Sequence, residues 1–226
     1  RAKIGPAPGA DIKVPWELSR SHHLVAMALD ARNSERLEAM SVEISLQLID
    51  WIAANPPRFG VNWRSTMEIA IRATNWIWAF SLIDADKNLP PAVRFLLAKS
   101  LYQHGQFITT HLDYVPSGTT NHYLADLAGL LQIASVFPSA PDSSRWIALC
   151  LQELHSEMDR TVLEDGGSYE GSTGYHRLVT EMFLHSTMAA LRLSVGQRAG
   201  AAGTGQARFQ NLTINPSVWR FDPRRD

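Results

Sequence analysis

Between residues 16 and 195 apolar side chains recur at helical spacing almost without interruption, parted only by short breaks rich in Pro, Gly, Asn and Ser. Strand-like alternation is almost absent, so the spacing predicts an all-α class. The first predicted helix runs through WELSRSHHLVAMALDA, and the second from Ser34 to Ala54, stopped by Asn55, Pro56 and Pro57. A third spans Trp63 to Asp84. The fourth opens at the paired prolines of LPPAVRFLLAKS, where a first-turn proline costs no hydrogen bond. A fifth begins at TTNHYLADLAGLL and ends at Pro138, a sixth reaches about Leu163, and a seventh runs from near Tyr175 to Val195. Helices of about 15 to 22 residues with short loops predict antiparallel hairpins side by side, as an open solenoid or a closed toroid. No fixed-period repeat is visible, which weighs against a regular array. From Gly196 the chain turns Gly/Ala-rich and then basic, so residues 196–226 are expected to be a tail or truncated linker beside a helical domain at 1–195.

At 226 residues and 45% hydrophobic, the chain is long enough to bury a substantial core. Its 21 Lys and Arg against 22 Asp and Glu give no global basic excess that would recommend nucleic acid. Charges interrupt every long apolar run, so membrane insertion is not expected. Cys150, the single cysteine, excludes a disulfide framework or a cysteine-based zinc site and is expected to be a small buried hydrophobe.

Three stretches carry residues suited to chemistry. In the fifth helix Thr119 or Thr120 can cap the N-terminus, which places Asn121 and His122 in the first turn, where N–H groups are unpaired and the dipole is positive. A carboxylate docked there would be bound by backbone and side chain together; alternatively Asn121 is only a cap and His122 a boundary residue. In EDGGSYEGSTGYHRL, residues 164–178, four glycines make a loop that a ligand can approach closely, and the loop delivers Tyr175 and His176 into the seventh helix. Tyr175 falls on that helix's apolar face, so it is either a core aromatic or a site residue. In GVNWRSTMEIAIRATNWIW, Glu68 and Arg72 are spaced to pair along one face. Trp63, Trp76 and Trp78 there are either sugar-stacking surfaces or core. Trp16, Glu17 and Arg20 form a similar set. The other histidines show no metal-ligand spacing.

Taken in order, VPWELSRSHHL, NPPRFGVNWRSTMEIAIRATNW, TTNHYLADLAGLL and LEDGGSYEGSTGYHRL resemble the helical domain of the heparinase II/III-like polysaccharide lyases, over roughly residues 11–193. The resemblance implies an incomplete (α/α) toroid, normally followed by a β-sandwich domain that supplies a further catalytic histidine or tyrosine and, in some members, a metal. No cofactor is expected from these residues themselves, and the chain is expected to be a fragment or truncated product. The implied reaction is β-elimination on an acidic, uronic-acid polysaccharide, with Asn121 and His122 neutralising the carboxylate and Tyr175 as acid/base. Trp63, Glu68, Arg72, His176, Tyr169 and Glu170 are the implied substrate-binding residues, and the compartment is periplasmic or extracellular. Two other readings stand beside it: an (α/α)-toroid glycoside hydrolase using Asp165 and Glu170, and a non-catalytic carbohydrate-binding helical module.

Overall fold

A computed structural model describes residues 9–84, 89–116, 118, 120–205, 207–209 and 212–214. The all-α class is borne out: helices account for most of the described residues, joined by one short hairpin of strands. The chain forms two compact units, Arg1–Phe107 and Ile108–Asp226. Among the described residues, no helix is long and apolar enough to cross a membrane.

The first unit contains α1 (Lys13–Ser19), α2 (His22–Arg32), α3 (Leu37–Ala54), a 3-10 turn (Val61–Trp63), α4 (Thr66–Ile83) and the start of α5 (Pro91–Thr110). Helix α2 packs against both α3 and α4. Pro91 is the first residue of α5, as expected of a proline whose missing N–H is one the helix could not have paired.

The continuous helix expected over residues 16–31 is in fact two. Ser21 adopts a left-handed backbone, φ 61°, between α1 and α2. That conformation is costly for a residue with a Cβ, and tertiary contacts hold it. The Ser21 hydroxyl accepts from Trp76 Nε1 at 3.1 Å, and Asn75 Nδ2 donates to the Arg20 carbonyl at 2.8 Å, satisfying a group released by the break.

The second unit is organised on α6 (Asn121–Val136), whose residues from Tyr123 to Ala134 are all buried. A helix enclosed all round needs no polar face, which explains the nearly unbroken apolar run in the sequence. Helices α7 (Ser143–Thr161) and α8 (Thr173–Leu191) pack against it. Cys150 lies fully buried in α7 and is the small core residue expected.

The stretch read as a Gly/Ala-rich tail or truncated linker carries α9 (Val195–Ala202) at its start, packed on α7. Ser194 and Gln197 form a reciprocal capping box: the Ser194 hydroxyl accepts from the Gln197 N–H at 3.2 Å, and Gln197 Oε1 accepts from the Ser194 N–H at 3.0 Å. The Gly/Ala composition taken for a linker reflects close packing. A Cβ on Gly200 would lie 2.5 Å from Ser144 Oγ, so a side chain there would require that hydroxyl to turn away. Strands β1 (Ala207–Phe209) and β2 (Leu212–Ile214) then pair antiparallel. Residues 206, 210–211 and 215–226 of the predicted tail lie outside the described residues.

Candidate functional site

In the second unit, Thr120 caps α6: its extended backbone (φ −139°, ψ 149°) lets the hydroxyl accept from the Tyr123 N–H at 3.2 Å. The alternative cap, Thr119, lies outside the described residues. Asn121 and His122 therefore occupy the first turn, Asn121 half-buried and His122 exposed, while Tyr123 behind them is in the core. The Asn121 amide donates to both carboxylate oxygens of Glu170, at 3.0 and 3.1 Å. His122 Nδ1 lies 3.4 Å from Asp113 Oδ2. The Asp113 N–H in turn donates to Oδ2 of Asp126 at 2.8 Å.

Asp126 is fully buried, and Asp126 Oδ1 has no hydrogen-bond partner among the described residues. Burial holds its carboxyl well above the usual carboxylate range, which favours the protonated form. Nearby, the Tyr123 hydroxyl donates to Glu153 at 3.0 Å, and burial next to that carboxylate pushes the phenol up. Tyr123 is thus structural and unsuited to act as a base.

The glycine loop is a tight turn rather than an open cradle. Leu163 N–H bonds the Gly167 carbonyl at 2.8 Å, Tyr169 N–H bonds the Thr161 carbonyl at 3.0 Å, and Gly166 and Gly171 take the positive φ values, 83° and 62°, that the reversals need. Asp165 is exposed and spends Oδ1 on the Gly167 N–H at 2.9 Å. With Glu170 bound to Asn121, neither carboxylate of the hydrolase reading is free of a local structural bond. Tyr169 is exposed.

Ser172 then caps α8, and Tyr175 and His176 follow in its first turn. Tyr175 shares a face with Val179, Met182 and Phe183, which are buried, yet it is itself 48% exposed because it sits a turn ahead of the packed part of the helix. It is not a core aromatic. Its hydroxyl bonds to no other described residue, and His176 is exposed beside it.

In the first unit the expected pairing of Glu68 with Arg72 is not made. Glu68 accepts from Arg20 instead, at 2.7 Å to Nε and 2.8 Å to Nη2, a two-pronged bond between α1 and α4. Arg72 is fully buried. It donates from Nε to His104 Nε2 at 3.1 Å and from Nη2 to the Asn62 carbonyl at 3.2 Å, and it lies 4.2 Å over the Trp51 ring. Burial brings its guanidinium down to about 9, so it stays charged at neutral pH. Burial, then the Arg72 charge, pushes His104 well below the usual histidine range. His104 is accordingly neutral, Nδ1 donating to the Ser100 carbonyl at 2.7 Å.

Trp63 is 4% exposed, with its ring 4.7 Å from His104 and its indole N–H on the Asn55 carbonyl. Trp63, Glu68 and Arg72, expected to bind substrate, are all enclosed by packing instead of being exposed to a ligand. A groove of about 710 Å³ elsewhere in this unit is lined by Leu37, Val42, Leu46, Ile49 and Val93, with Glu38 as its one ionisable side chain, a poor match for an acidic polymer.

Asp113 and Asp126 were not singled out by the sequence, although an acid inside an apolar helix is itself a signal that something polar is held there.

The profile of the heparinase II/III N-terminus family matches residues 6–202. A heparin-sulfate lyase of Pedobacter heparinus is 28% identical over 193 residues, covering 83% of this chain and 28% of that protein. A heparin-sulfate lyase of Bacteroides stercoris is 24% identical over 199 residues, 78% of this chain and 29% of that protein. Among crystal structures, a heparan sulfate lyase HepC mutant from Pedobacter heparinus matches with a TM-score of 0.67 at 26% identity, over 86% of this chain and 30% of that one. The chain spans less than a third of the length of the curated relatives it matches. With the profile extending over most of its residues, the chain belongs to the heparinase II/III family, by its N-terminal region.

Proposed function

We propose that this chain is the helical part of a polysaccharide lyase that cleaves an acidic, uronic-acid-containing polymer by β-elimination. Heparin-sulfate relatives make heparan sulfate the first substrate to test. The C5 proton of a uronate lies α to its carboxylate, and removing it drives negative charge onto that group. A site that neutralises the carboxylate in advance lowers the barrier.

Asn121 and His122 perform that neutralisation at the positive end of α6, where the amide, the imidazole and the helix dipole act in one direction. Tyr175 handles the protons. As the C5–H bond breaks, its electron pair forms the C4–C5 double bond, the C4–O4 bond breaks, and the departing O4 takes up a proton. As phenolate the Tyr175 oxygen removes the C5 proton, and the phenol so formed passes it to the departing O4. His176, beside it at the start of α8, assists at the substrate's edge.

The observation that carries this reading is the grip of the Asn121 amide on the Glu170 carboxylate, with both oxygens within 3.1 Å. The same amide geometry suits a substrate carboxylate. The test is incubation of the enzyme, expressed at its full genomic length, with heparan sulfate, alginate and other polyuronates. Formation of a conjugated unsaturated uronate, followed by its ultraviolet absorbance, is the expected result. New reducing ends without that chromophore would replace the lyase with a hydrolase, and no cleavage of any polyuronate would remove the enzymatic reading.

A further inference from the structure

The segment that leads into α6 is pinned at three successive residues. Leu112 is buried, the Tyr114 ring lies 5.2 Å from that of Tyr123, and between them the Asp113 N–H is held by Asp126 at 2.8 Å. Asp126 lies four residues after His122, on the same face of α6. A carboxyl buried in that face is costly unless bonded, and the bond it makes fixes the backbone of Asp113. The consequence is that the Asp113 carboxylate is delivered to Nδ1 of His122, 3.4 Å away.

We propose that Asp113 is the positioning residue of His122, held in register by Asp126, and that it orients the imidazole for its contact with the uronate carboxylate. The proposal rests on the lyase reading for its catalytic consequence, but the contact itself stands without it. A carboxylate beside one ring nitrogen sets the ring's orientation and favours a proton on that nitrogen. Asp113 touches no reacting atom; it acts through the ring. Neither acid belongs to the implied set of Asn121, His122 and Tyr175.

The experiment compares Asp113→Asn, Asp113→Glu and His122→Gln in the enzyme at its full genomic length. Steady-state kinetics on the polyuronate that the wild type cleaves fastest are read together with ¹⁵N NMR of the histidine side chains, the His122 signals being those lost in His122→Gln. Asp113→Asn is expected to lower kcat by about 10- to 100-fold with KM changed little, since the group serves charge that develops in the transition state. Asp113→Glu is expected to recover part of that loss, and the His122 nitrogen shifts are expected to differ between Asp113→Asn and wild type. Full activity in Asp113→Asn beside an inactive His122→Gln would overturn the proposal. So would His122 shifts unchanged by Asp113→Asn. Should the wild type cleave no polyuronate, the lyase reading fails by itself, and the NMR comparison still decides whether Asp113 governs the ring.

Discussion

The side-chain amide of Asn121 and the carboxylate of Glu170 are joined by two contacts, 3.0 and 3.1 Å, across 49 residues of sequence. One bond thereby ties the first turn of α6 to the loop that feeds Tyr175 into α8, so the proposed neutraliser and the proposed acid/base share a mechanical link. Glu170→Ala is expected to release the amide plane and lower kcat/KM by about tenfold, or 1.4 kcal/mol of transition-state stabilisation. Glu170→Gln keeps an acceptor for the amide and is expected to stay within a few-fold of wild type. Equal losses in the two variants would show that the charge of Glu170, rather than its hold on Asn121, matters to the reaction.

Tyr175 offers a cleaner separation of chemistry from folding. Its ring is about half exposed and its hydroxyl binds no other described residue, so Tyr175→Phe removes one oxygen without opening a cavity or stranding a partner. Elimination is expected to fall by roughly 10²- to 10⁴-fold, the range for a lost acid/base group. The thermal midpoint is expected to match that of wild type. Activity retained within a few-fold would take the phenol out of the mechanism.

Helix content and the order of the helices were legible because apolar spacing at 3.6 residues per turn is a local property. The break at Ser21 was not, since its conformation is held by Trp76 and Asn75, more than fifty residues away. The partner of Glu68 was missed for a similar reason: spacing on α4 favours Arg72, and only the fold brings Arg20 within reach. By contrast, α9 had a readable start in the Ser194–Gln197 capping box, which the Gly/Ala composition masked. At the site, the placement of Asn121, His122 and Tyr175 in first turns followed from cap and loop signals. Burial of Trp63 and Arg72 did not, because an aromatic or cationic stripe looks the same whether packing encloses it or leaves it open.

Asp126 makes stability depend on pH in a direction opposite to that of most carboxylates. Its folded-state affinity for the proton is raised by burial, while in the unfolded chain it releases the proton around the ordinary value of 3.8. Above that pH the unfolded state is favoured by ionisation and the native state is not, so this group's contribution declines as pH rises. Asp126→Asn keeps a carbonyl for the Asp113 N–H and cannot ionise. Urea denaturation from pH 4 to 8 is expected to show a flatter pH dependence in the variant, with its gain over wild type largest at the alkaline end. Parallel curves for the two proteins would mean that Asp126 titrates alike in both states.

Glu68 serves two guanidinium groups at once. It binds Arg20 through both oxygens, and its charge favours the cationic form of the buried Arg72, whose Nη1 has no hydrogen-bond partner among the described residues. Glu68→Gln preserves volume but removes the charge, leaving Arg20 to Glu17 alone, which is 2.7 Å away and well exposed. A loss of roughly 2–3 kcal/mol in unfolding free energy is expected, below the full cost of breaking a wholly buried pair because Arg20 reaches solvent. Glu17→Gln, acting on the exposed side of the same arginine, is expected to cost less than about 0.5 kcal/mol. Similar costs for the two variants would mean that burial of Glu68 confers no special weight on its bond to Arg20.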